Sequence, residues 1–208
     1  MIKRMNILAI GAHPDDVEYG CAGTLVKYAE RQHRIFLMIL TRGEQGGNGG
    51  YRREEQMNAA EIMRVEKTFW GGYRDTRIPL GRALIARIED AIREVEPDLI
   101  FVNYGDDTHQ DHRILNQATQ SATRYVRNVV FFEVPTTQNF TPQIFVDIAD
   151  TLEQKVQALE AHTSQVMKTN VEDLSIIELA RANAVFRGIQ GRVKWAEAFM
   201  PLRLFINM

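Results

Sequence analysis

Three of the five histidines in this chain sit in two short, carboxylate-rich stretches. GAHPDDVEYGCAGTL, from Gly11 to Leu25, carries His13, Asp15 and Asp16; GDDTHQDH, from Gly105 to His112, carries His109, Asp111 and His112. Imidazole with carboxylate is a donor set that suits Zn²⁺ and also admits Fe²⁺, Co²⁺ or Mn²⁺. A catalytic zinc commonly keeps three protein ligands and leaves a fourth position to water, whose pKa then falls to about 7. A histidine and an aspartate from the first stretch and a histidine from the second supply those three. The aspartate left over is a natural general base beside such a water. Spacing alone does not say which of Asp15 and Asp16 takes which task. The same adjacent carboxylates exclude a dinucleotide site, because they would repel the phosphates that a glycine-rich turn normally accepts.

Both stretches follow apolar runs. NILAIGA and DLIFVNYG read as buried strands, as do RIFLMILTRG, NVVFFEVP and QIFVDI, with KTFWGGYRD a shorter strand and turn. Between them lie segments of helical period: GCAGTLVKYAERQ, RREEQMNAAEIMRVE, GRALIARIEDAIREVEP, HRILNQATQSATRYV, TLEQKVQALEAH and ELARANAVFRGIQGRVKWAEAF. Strands alternating with helices predict a mainly parallel sheet covered on both faces, and continuous apolar runs are what such doubly buried strands require. Ligands of these sheets bind beyond the carboxyl ends of strands, where both stretches fall. EQGGNGGY, with four glycines in eight residues, reads as a mobile loop.

The chain has 208 residues, enough for a single domain over 1–208 with one sizeable core. A formal net charge of −2 favours neither nucleic acid nor an anionic membrane as partner. The apolar runs are too short to span a bilayer, and the basic-then-apolar start MIKRMNILAIGAHP lacks the length and cleavage site of a signal peptide. One cysteine, Cys21, forms no internal disulfide, which fits a cytoplasmic location.

AHPDDVEYGCAGTL resembles the opening signature of the PIG-L/LmbE-like family of zinc-dependent N-deacetylases. HQDH at 109–112 resembles its second signature, and Arg52, Glu55, Ala59 and Ala60 a third; LEAHTSQ and WAEAF have the same flavour. The resemblance implies a Rossmann-like three-layer sandwich. It implies His13, Asp16 and His112 as zinc ligands and Asp15 as base. A protonated His109 would stabilise the oxyanion or protonate the leaving amine, Asp111 would hold the His109 imidazole, and Arg52 would contact substrate. It further implies removal of the acetyl group from a small N-acetylglucosamine-type conjugate, releasing acetate and an amine, by a protein that is a homo-oligomer, a trimer or hexamer. Two alternatives accompany it: a thiol-conjugate amidase and a metal-dependent sugar-binding protein without chemistry. Ala22 departs from the family's glycine, and the sequence leaves the substrate, the native metal, the Gly46–Gly50 loop and any contribution of Glu18, Arg53 or His162 open.

Overall fold

The computed structural model describes residues 4–205; the basic start at Met1–Lys3 lies outside them. The elements run β1 (Asn6–Gly11), α1 (Asp16–Glu30), β2 (Arg34–Ile39), α2 (Gly49–Ile62), β3 (Val65–Trp70), α3 (Arg82–Val95), β4 (Leu99–Asn103), α4 (Gln110–Ala122), β5 (Val129–Phe132), β6 (Ile144–Asp147), α5 (Leu152–Glu160), α6 (Ile176–Gly191) and β7 (Ala196–Arg203). Among the described residues the strands form one sheet in the order β3-β2-β1-β4-β5-β7-β6. The first five strands pair in parallel; β7 is antiparallel to both β5 and β6. This is the expected α/β sandwich with a mainly parallel sheet.

Successive side chains of a strand point to opposite faces, and here both faces are core. Ile7, Ala9, Ile35, Leu37, Leu99 and Phe101 pack beneath α1, α2, α5 and α6. Leu8, Ile10, Phe36, Met38, Ile100 and Val102 pack beneath α3 and α4. Helix α1 lies so close to β5 that a Cβ on Gly20 would come within 2.1 Å of the Phe132 ring. A glycine in mid-helix normally costs stability; here it permits the approach.

Two expectations need correction. WAEAF, read as the end of a helix, enters strand β7 at Ala196, and its Glu197 is buried. Glu197 accepts hydrogen bonds from Gly23 and Thr24 of α1 and pairs with buried Lys155 at 2.6 Å. That buried partnership overrides the helix-forming composition of the segment. The glycine-rich loop is also more ordered than a free loop. Asn48 caps α2 by accepting from Gly50 and Tyr51, so Gly49 and Gly50 are helical.

The chain turns back at β1. Strands β2 and β3 are laid to one side of it, and α3 then crosses over so that β4 lies on the other. A crevice opens where strand order reverses, at the carboxyl ends of β1 and β4.

Candidate metal centre

The crevice is built by three loops. Ala12, just past β1, donates its N–H to Asn103 Oδ1 at the end of β4 and gives its carbonyl to Thr41 beyond β2. His13 follows at once; Asp15 occupies the N-cap position of α1 and Asp16 opens that helix. From the far side, His109 is the N-cap of α4, and Asp111 and His112 lie in its first turn.

Three donor atoms converge. His13 Nδ1 lies 3.3 Å from His112 Nε2 and 3.5 Å from Asp16 Oδ2, and His112 Nε2 lies 3.2 Å from Asp16 Oδ2. Ligand atoms about 2.0–2.1 Å from a tetrahedral ion stand about 3.3 Å apart, so this triangle fits a divalent ion of zinc's size. Two overlapping groupings also bring ligand atoms within 4.8 Å: His13 with His109 and His112, and His13 with Asp75 and Asp111. The first uses His109, whose Nδ1 already accepts the Asp111 N–H at 3.2 Å. The second uses the far nitrogen of His13. In the triangle of His13, Asp16 and His112 every pair of donor atoms stands 3.2–3.5 Å apart.

Carboxylates behind the two imidazoles set their tautomers. His13 Nε2 lies 3.0 Å from Asp75 Oδ1 and 3.2 Å from Asp111 Oδ2, and His112 Nδ1 lies 3.0 Å from Asp107 Oδ2. A proton held on each far nitrogen leaves the near one as a lone pair, the usual support for a ligand histidine. The charges are matched to a cation. Burial works against both imidazolium ions, yet the surrounding carboxylates raise His13 well above 6.5 and His112 to about 9. Burial pushes Asp16 up, and the His112 and His13 rings pull it well below the usual carboxylate range.

Asp15 does not cap its helix; its side chain makes no cap hydrogen bond, and its backbone sits at φ 93°. That region is costly for a residue with a side chain, and such conformations persist where surroundings enforce them. Arg52 is what enforces it. Its Nη2 donates to Asp15 Oδ2 at 2.9 Å and to the Pro14 carbonyl at 2.8 Å, while Nη1 donates to the Gly43 carbonyl at 2.7 Å. Gly43, at φ +62°, makes the room, since a Cβ there would meet Arg52 Nη1 at 2.0 Å. Burial raises the Asp15 carboxyl above its ordinary value, and Arg52 opposes that rise.

The structure thus brings together all seven residues singled out in the sequence, and two of them make contacts other than those expected. Arg52 was expected to contact substrate; it is buried, and its guanidinium holds Asp15 and the backbone of two loops. Asp111 was expected to hold the His109 ring; its carboxylate instead reaches His13 Nε2 and accepts from the Thr76 N–H at 2.8 Å. Only its backbone N–H serves His109, because the first turn of α4 aims N–H groups back at the N-cap residue. Burial and the two neighbouring imidazoles lower the His109 pKa, so the ring is neutral at pH 7, with Nδ1 accepting and the proton on Nε2.

Asp75 and Asp107 were missed. Asp107 stands in the quoted GDDTHQDH loop, two residues before His109, and that proximity was an available signal. Asp75 follows β3, with no histidine near it in sequence. Of the residues left open, Arg53 stacks over the Trp70 ring at 5.5 Å, and Glu18 and His162 are buried beside Gln56 without touching a ligand histidine.

Comparison with known proteins adds four findings. Residues 8–123 match the family described as PIG-L: GlcNAc-PI de-N-acetylase. The chain is 35% identical over 171 residues to an uncharacterized deacetylase, YaiS, of Escherichia coli (strain K12), covering 78% of this chain and 92% of that one. It is 27% identical over 197 residues to a probable N-acetyl-alpha-D-glucosaminyl L-malate deacetylase 2 of Bacillus anthracis, covering 84% and 87%. Its fold superposes on that of N,N'-diacetylchitobiose deacetylase from Pyrococcus horikoshii with a TM-score of 0.82 at 24% identity, covering 94% of this chain and 83% of the other.

Proposed function

The chain belongs to the PIG-L family of de-N-acetylases, and from that premise we propose that it hydrolyses the acetamide of a small N-acetylglucosamine-type conjugate, releasing acetate and a free amine. The observation that carries this reading is the donor triangle of His13, Asp16 and His112 with the Arg52-held carboxylate of Asp15 in the adjoining residue. A divalent ion, Zn²⁺ by the donor chemistry, would be held by those three side chains and would supply Lewis acidity to the amide carbonyl and an acidified water.

The chain's own residues do the rest. Asp15 takes the proton of the attacking water. Burial lifts its pKa toward the working pH, which strengthens it as a base, while Arg52 fixes its direction. His109 works as a neutral donor: Nδ1 is engaged by the Asp111 N–H, so Nε2–H is the group offered to the developing oxyanion or the departing nitrogen. The proton gained by Asp15 balances the one the amine must acquire. A reading as a sugar-binding protein without chemistry has no feature in its favour, since base and donor both stand beside the triangle.

Acetate release is the test. N-acetylglucosamine, its malate and inositol conjugates, N,N'-diacetylchitobiose and a nucleotide-linked N-acetyl sugar are offered to protein stripped of metal and then reloaded with Zn²⁺. Metal-dependent release that Asp15→Asn abolishes is the expected result. Absence of release from every member, with one ion bound per chain, overturns the proposal.

A further inference from the structure

Behind Asp15 lies a second polar group that the reaction above does not use. Glu18 of α1, Gln56 of α2 and His162 of the turn after α5 are each 1% exposed or less. Gln56 Nε2 donates to Glu18 Oε1 at 2.6 Å, and His162 Nε2 lies 3.6 Å from Glu18 Oε2. Glu18 Oε2, Gln56 Oε1 and both ring nitrogens of His162 have no hydrogen-bond partner among the described residues. Packing alone gives no reason to keep such a set, because apolar side chains of similar shape would fill the space without the desolvation penalty.

The arrangement repeats the contact that holds Asp15. Asp15 is the N-cap residue of α1 and Glu18 lies in its first turn; Arg52 and Gln56 are four apart on α2, a spacing at which side chains share a helix face. Two rungs join the start of α1 to α2, each a carboxylate facing an N–H donor of α2: Asp15 of the N-cap with Arg52 at 2.9 Å, and Glu18 of the first turn with Gln56 at 2.6 Å. Glu18 sits where an N3 glutamate would ordinarily reach back to its own helix start, and it faces α2 instead. His162 stands close enough to both rungs for its charge to act on Asp15, Arg52 and Glu18.

We propose that Glu18, Gln56 and His162 are positioning residues for the base. The inner rung sets the spacing of α1 and α2, and so the pose in which Arg52 presents the Asp15 carboxylate. This rests on Asp15 being the base of the proposed deacetylation, so the test has a catalytic and a non-catalytic arm.

In the catalytic arm, Gln56→Met removes the donor at nearly constant length, and the reciprocal exchange Glu18→Gln with Gln56→Glu rebuilds the rung in reverse. Gln56→Met is expected to lower kcat about tenfold with KM and bound metal within about twofold, and the exchange to recover most of that loss. An unchanged kcat, a loss that tracks loss of metal, or an exchange no better than the single variant overturns the proposal. In the other arm, the ring-nitrogen NMR signals of His162 are recorded in metal-free protein with and without Arg52→Lys. Coupled rungs shift those signals, and signals that ignore the substitution overturn the proposal whatever the activity. A shift with no acetate release from any substrate fails the deacetylase reading alone.

Discussion

Arg52 Nη2 makes two hydrogen bonds into one loop, to the Asp15 carboxylate at 2.9 Å and to the Pro14 carbonyl at 2.8 Å. The side chain and the backbone of the base are thus held by a single nitrogen. A lysine at this position carries the charge but not the planar fork, and cannot serve Gly43, Pro14 and Asp15 together. Arg52→Lys should lower kcat by about a hundredfold, the scale of an ångström-sized misplacement, while bound metal stays at wild-type stoichiometry. Steady-state kinetics beside metal analysis decides it; a rise in KM alone would return Arg52 to the substrate-contacting role first expected.

Asp107 supports His112 from behind. Asp107→Asn keeps the shape and removes the charge opposite His112 Nδ1, 3.0 Å away. Loss of such a partner typically weakens metal affinity by about 10–100-fold. Competition against a chromogenic chelator should show that weakening with the melting temperature of the metal-free protein little changed. Unaltered affinity would mean that Asp107 serves the loop, through its bonds to the His109 N–H and Thr137, and not the ligand.

Gly20→Ala separates local propensity from packing. In an exposed helix the change stabilises by up to about 1 kcal/mol. Here the new Cβ would meet three atoms of the Phe132 ring at 2.1–2.8 Å, and Phe132 is fully buried. Overpacking of this kind costs about 1–3 kcal/mol, so net destabilisation is expected in a denaturant titration. A stabilised variant would show that α1 can move off β5 at no cost.

Glu55 gives a pH signature away from the metal ligands. It accepts from Thr163 Oγ1 at 2.8 Å and from Ser164 N and Oγ, both at 2.7 Å. Burial raises its pKa, but those donors pull it below the ordinary 4.5. A depressed folded-state pKa contributes stability above the unfolded value and loses it as pH falls through the folded one. The melting-temperature gap between wild type and Glu55→Ala should be flat above about pH 6 and narrow below about pH 4.5. A gap that holds at low pH would assign the contribution to packing.

Some of this was legible before the structure. Continuous apolar runs such as NILAI and LIFVN mark doubly buried strands with little ambiguity, and His13, Asp16 and His112 stand in short stretches at the ends of two of them. What escaped depends on contacts distant in sequence. Asp75 reaches His13 from a loop after β3, and β7 carries a glutamate whose burial is explained only by Lys155. Asp111 lay beside His109 in sequence, yet the direction of a helix's first turn sends its carboxylate to His13. Proximity along the chain named residues that the fold brings together, and mispaired Asp111 with His109.

Strand β7 has a consequence for the order in which the molecule is made. Glu197 takes the N–H groups of Gly23 and Thr24 across 174 and 173 residues of chain, and it also neutralises Lys155, whose ammonium reaches the carbonyls of Glu18 and Tyr19. Contacts of that sequence separation form late, because the loop entropy is lost before the contact is gained. Until that contact forms, the N–H groups of Gly23 and Thr24 and the ammonium of Lys155 lack the carboxylate that answers them in the fold. Helix α1 is closed by a strand far along the chain, and its Gly23–Thr24 step is answered only when β7 takes its place between β5 and β6.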